Sequence, residues 1–127
     1  MSFTLIDIGS ENFEFRANVW NWKTALEIVK SFDILSDGKI RQMEYNATGV
    51  KLELSEAHLI GEKIRDEILP RLAPGKRIFS DLSITDAPDD GTLYKDEDEQ
   101  WKNFSASYVW LKELSEFCLQ SKGFQVF

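Results

Sequence analysis

Cysteine and histidine are nearly missing: Cys118 and His58 each stand alone in 127 residues. One cysteine excludes an internal disulfide framework and a four-cysteine zinc site. One histidine leaves a zinc centre short of nitrogen ligands. No Gly-x-Gly-x-x-Gly, P-loop or Gly-x-Ser-x-Gly pattern occurs. No apolar run approaches the roughly 18 residues of a membrane span. The opening segment lacks a basic n-region and meets Asp7, so it is not expected to be a secretory signal. Basic residues are scattered, with Lys76-Arg77 and nearby Arg71 the tightest group, which argues against nucleic acid as a partner. The expectation is a single cytoplasmic domain spanning residues 1–127, with no cofactor, metal or membrane contact.

What the chain does have is acid in one place. The formal net charge is −7. Residues 81–99 contain eight acids and only Lys95 in opposition, and so carry that entire charge. The other 108 residues hold 14 acids and 14 bases. The molecule reads as a neutral domain bearing one acidic loop.

Hydrophobic periodicity gives the elements. Residues 3–8 and the alternating Phe13-Glu14-Phe15-Arg16 read as strands joined by a hairpin over residues 9–12. Trp22, Ala25, Leu26, Val29 and Phe32 form one helical face, with Asn18 or Asn21 as N-cap. Trp20 cannot share that face; a staple against the preceding strand is expected, a partly exposed contact being the other choice. Residues 40–45 read as a short edge strand, paired through a turn at residues 46–49 with the strand Val50-Lys51-Leu52-Glu53-Leu54. Ser55 is expected to cap a second helix with inward Ala57, Ile60, Ile64 and Ile68, ended by Pro70. Gly61 lies on that inward side, where a close neighbouring backbone would explain it. Ile78-Phe79 and Leu82-Ser83-Ile84 read as one short strand. The last helix is expected from Asp98 or Ser105 to Ser121, with Lys112 and Glu116 paired outside. Gly123 suits a left-handed C-terminal position, and residues 125–127 a final strand. Helices and strands do not alternate strictly, so the fold class is α+β: a small, mostly antiparallel sheet with about three helices packed on it.

Each candidate site has a plainer reading beside it. Glu56, His58 and Glu62 share a helix, and the spacing of His58 and Glu62 suits two metal ligands, but one histidine and a remote cysteine supply too few nitrogen or sulfur ligands, and a solvent-facing helical turn is the reading favoured. Cys118 falls on an inner helix face, where free cysteine behaves as a small hydrophobe. Residues 86–97 approach an EF-hand loop, with acids at positions one, five and twelve and Gly91 at six. Pro88 at position three offers no side-chain oxygen, and the preceding segment is strand-like where a helix is needed. The acidic loop can also steer a basic partner, with Tyr94 and Trp101 as aromatic anchors. Runs of acids are nevertheless commonly only solvated.

The order of features resembles a group of short bacterial proteins of uncharacterised function. The shared features are Trp22 opening an apolar helix, Asn46-x-x-Gly49 before Val50, Glu56-Ala57 opening the next helix, and Phe117-Cys118 with Gly123-Phe124 closing the chain. Those proteins carry a tryptophan-bearing segment after the first helix, where this chain has Phe32-Asp33-Ile34-Leu35. The shared residues pack, cap and turn, and imply no catalytic role.

The functional expectation is a non-catalytic binding module making protein–protein contacts. Its partner would be a basic protein held by Asp89, Asp90, Tyr94, Asp96, Glu97 and Trp101, and immunity-type inhibition of a basic toxin or nuclease fits by analogy. Two alternatives stay open: a small-ligand or enzyme site near His58, Glu56 or Cys118, and a calcium-responsive loop at 86–97.

Overall fold

The structure is a computed structural model that describes residues 2–45, 48–86 and 104–127. It opens with the expected hairpin, β1 (Ser2–Asp7) antiparallel to β2 (Glu14–Asn18). Phe3 and Leu5 alternate inward and are essentially inaccessible, as a strand with one buried face requires. The helix α1 (Val19–Ser31) follows without a linker. Asn18 caps it, and Asn21 returns the bond to the Asn18 N–H, so each asparagine satisfies a donor of the other.

Residues 40–45 are not a strand. Ser36 caps a short helix α2 (Asp37–Met43), with Asp37 in its first turn. Ile40 and Met43, three apart, are its buried pair. The Trp22 indole N–H donates to the Met43 carbonyl at 2.9 Å in the interior and ties α2 to α1. Strand β3 is therefore only Val50–Leu52 and pairs with the C-terminal β7 (Phe124–Val126).

The next helix starts earlier than expected. Glu53, not Ser55, is the N-cap of α3 (Leu54–Lys63), and the Glu56 carboxylate closes a capping box on the Glu53 N–H. Leu54 thereby leaves the strand face and is 46% exposed. Ala57, Ile60, Ile64 and Ile68 are all buried as the spacing predicts. Pro70 does not end the helical path. A π-helical turn, Ile64–Ile68, leads into α4 (Leu69–Leu72), which places Pro70 in a first turn where its missing N–H costs little. The close neighbour of Gly61 is α5 (Tyr108–Gln120): a Cβ there would lie 2.9 Å from both the Ser115 carbonyl oxygen and Leu119 Cγ.

Three short strands within residues 77–85 and 105–107 make a second sheet. The strand expected over 78–84 is two strands, β4 (Arg77–Phe79) and β5 (Ile84–Thr85), joined by a turn in which Leu82 has a positive φ. β6 (Ser105–Ser107) pairs with the other side of β4. Ser107 then caps α5, so the last helix begins at Tyr108. The sheets are ordered β2-β1-β7-β3 and β5-β4-β6, and all their pairs are antiparallel. Apolar residues of both sheets and all the helices enter one core. This is an α+β fold with two small antiparallel sheets. No helix among the described residues is long and apolar enough to cross a membrane.

Candidate functional site

The residues expected to bind a partner, Asp89, Asp90, Tyr94, Asp96, Glu97 and Trp101, lie outside the described residues. So does the proposed calcium loop after Asp86. The ends of that stretch are described. β5 and β6 each run antiparallel to β4, and so parallel to each other. Thr85 lies opposite Arg77, and Ser105 opposite Phe79. The chain leaves at one end of β4 and returns at the other. Such a connection between parallel strands takes about a dozen residues or more, which accounts for the length of the interval between Thr85 and Ser105.

The return point is held firmly. Ser80 N–H donates to the Phe104 carbonyl at 3.1 Å. Arg77 Nε donates to Ser105 Oγ at 3.0 Å. The Phe104 ring lies 5.3 Å from that of Trp20, which is 38% exposed, and the Lys23 ammonium sits 5.5 Å above the Phe104 ring. The first turns of α1 therefore pack on Phe104, where the described chain resumes.

The groups of the alternative site have structural partners. His58 Nε2 is 3.0 Å from the Ser121 carbonyl oxygen, so this nitrogen carries the proton and links α3 to the end of α5. Glu56 accepts from Lys39 Nζ at 2.7 Å and from the Glu53 N–H at 2.9 Å. Burial raises the Glu56 carboxyl, but these bonds and the Lys39 charge outweigh it and hold it below its ordinary range. Cys118 is buried, and desolvation pushes its thiol up to about 12, so the nucleophilic thiolate is suppressed at neutral pH. Among the described residues, no group of three or more His, Cys, Asp or Glu is placed to hold a metal ion.

Asp7 is a feature that sequence reasoning missed. It is buried at the end of β1. Its Oδ1 accepts from Ser121 Oγ at 2.9 Å and from the Lys122 N–H at 2.7 Å; Oδ2 accepts from the Gly9 N–H. Desolvation raises its carboxyl, but the donors together prevail and keep it below the ordinary carboxylate range. It joins the hairpin turn to the loop before β7.

A cavity of about 230 Å³ opens beside α1. Phe3, Val19, Trp22 and Leu26 give it an apolar floor. Lys23, Glu27, Glu44 and Tyr45 complete the lining, and Tyr45 is 64% exposed. No spacing signal announces this cavity, because β1, α1 and the end of α2 meet there only in the folded chain. The mistaken strand at 40–45 concealed it further. Known protein families, curated proteins and solved structures contain no match to the chain.

Proposed function

We propose that the chain is a non-catalytic binding domain that engages a basic protein through its acidic stretch, residues 81–99. The observation that carries this reading is the placement of the entire −7 in one stretch of an otherwise balanced chain. From Asp86 onward that stretch lies in sequence between two strands of one sheet, β5 and β6. A sheet-anchored loop is a usual carrier of binding residues, and a concentrated negative field accelerates encounter with a positive surface. Asp89, Asp90, Asp96 and Glu97 supply the field, with Tyr94 and Trp101 as anchors. Inhibition of a basic toxin or nuclease is one form this binding takes. The competing site near His58 has less support, since Glu56, His58 and Cys118 are committed to capping, bridging and packing.

The test is affinity capture from cell extract at low and moderate salt, with wild type and a variant carrying D89N, D90N, D96N and E97Q. The expected result is a set of basic proteins retained by wild type, weakened by salt and lost with the variant. Identical partner lists for the two proteins overturn the reading.

A further inference from the structure

We propose that the outer edge of β2 is a contact between two copies of this chain: a second copy lays its own β2 antiparallel to the first, with Glu14 of each opposite Arg16 of the other. The inference is independent of the acidic stretch. It rests on which backbone groups of β2 are left open. Among the described residues, no strand lies beyond β2 in its sheet. Thr4 exchanges both of its backbone bonds with Phe127, and the Ile8 N–H goes to the Gly123 carbonyl. The even-numbered residues of β1 therefore bond on the β7 side. The odd-numbered ones face β2, where the Asp7 N–H donates to the Phe13 carbonyl. Glu14 and Arg16 stand opposite Ile6 and Thr4. They are thus the non-hydrogen-bonded positions of that ladder, and their N–H and C=O groups point away from β1. Asn18 is next in the same row, but its N–H is taken by the Asn21 side chain. The open edge is therefore two residues long, with two donors and two acceptors.

Those groups select one register. With Glu14 facing Arg16 of the second copy, each copy uses both donors and both acceptors across a two-fold axis at Phe15. Arg16 opposite Arg16 would set like charges together and turn Glu14 toward the occupied Asn18. Glu14 opposite Glu14 would repeat the like-charge contact and set Arg16 against the hairpin turn. The side chains agree with the first arrangement. Edge strands commonly avoid pairing by carrying charge, and charge of one sign does repel a copy of itself. This edge carries one charge of each sign, both exposed, and they pair with each other at 3.1 Å. An exposed pair of this kind contributes little, so it opens readily into an alternating set of four. On the other face, Phe15 is half-buried beside Trp110 and Phe117. The axis brings it against Phe15 of the second copy, in a close pair that covers its exposed remainder. Such a contact is smaller than a standard interface, so the dimer is weak and forms at high concentration.

The experiment is sedimentation equilibrium of the intact chain from about 10 μM to about 1 mM. Wild type should rise with concentration from the mass of one chain, 14.7 kDa, toward that of two. Glu14→Arg places arginine opposite arginine, and Arg16→Glu places glutamate opposite glutamate. Each should weaken self-association by at least about tenfold. Their equimolar mixture sets opposite charges across the axis again and should associate as wild type does. The double variant Glu14→Arg with Arg16→Glu should also do so. The mixture reports on register, because both of its chains carry a substitution and any loss of folding would be common to the separate and mixed samples. Four results overturn the proposal: a wild type that keeps the mass of one chain throughout, single variants that associate as strongly as wild type, a mixture that stays as weak as its separate components, or a double variant no stronger than the single ones.

Discussion

At the residue scale, Asp7 shows how a side chain gains weight through partners distant in sequence. Its Oδ1 bonds to Ser121 and Lys122, more than 110 positions away, and Ser121 Oγ also donates to the Gly123 carbonyl. An asparagine keeps the shape but turns an amide toward donors that require an acceptor. Asp7→Asn should therefore lower stability by about 1–3 kcal/mol at neutral pH, the cost of an unsatisfied buried polar group. The pH dependence has a definite sign. The folded-state carboxyl titrates below its ordinary value, so the ionised form favours folding. That contribution is complete above the unfolded-state value of about 3.9 and is lost as pH falls through the folded-state value. Urea titrations of both proteins should show a constant gap from pH 5 to 7 that closes below about pH 4. A gap independent of pH would show that the charge is not what Asp7 contributes. Nothing in the local sequence marks Asp7, because its donors come from the other end of the chain. Cys118 was legible by contrast, because its place on an apolar helix face already implied burial.

At the element scale, local signals located the parts that depend on local physics. The Asn18 cap, the α1 stripe and the isoleucine row of α3 required only helical spacing. The failures came where two local preferences competed. Residues 40–45 hold β-favouring Ile40 and Tyr45, but the Ser36 cap and the buried Ile40 and Met43 pair settle α2. Pro70 is a helix breaker by rule, yet the π-helical turn before it moves it into a fresh first turn. Gly61 was readable in kind, as a site of close approach, though not in partner. Ser115 Oγ donates to the Gly61 carbonyl at 2.8 Å across the α3–α5 contact. Alanine at 61 gains about 1 kcal/mol of helix propensity. Its Cβ, however, meets the Ser115 carbonyl oxygen at 2.9 Å and Cys118 Cβ at 3.1 Å. Backbone and core atoms yield poorly, and overpacking costs about 1–3 kcal/mol. Gly61→Ala should thus be net destabilising in urea denaturation. Gly38→Ala, in α2 with nothing within 4 Å of the added methyl, should stabilise. If both substitutions stabilise, the α3–α5 contact is looser than these distances require.

At the scale of the whole molecule, the division into a balanced body and a charged stretch was legible from counting alone, whereas the frame of that stretch was not. Placing β5 and β6 on opposite sides of β4 is a non-local pairing, and two- and three-residue strands leave too short a pattern to announce it. The cavity beside α1 escaped for a related reason: Phe3, Trp22 and Glu44 converge only once the core has formed. The charge division itself makes a prediction that separates position from total. One variant carries D89N, D90N, D96N and E97Q; the other carries E11Q, E14Q, D33N and E113Q at exposed sites on the body. Each removes four negative charges, so their net charges are equal. If retention followed net charge, both would elute together from an anion-exchange matrix. A positive surface instead samples the local field, which decays over about 10 Å at 0.1 M salt. The variant neutralised within 81–99 should elute at distinctly lower salt than the body variant, which should stay close to wild type. Co-elution of the two variants would mean that the acids of 81–99 do not act together as one charged surface, and the binding role proposed for them would lose its electrostatic basis.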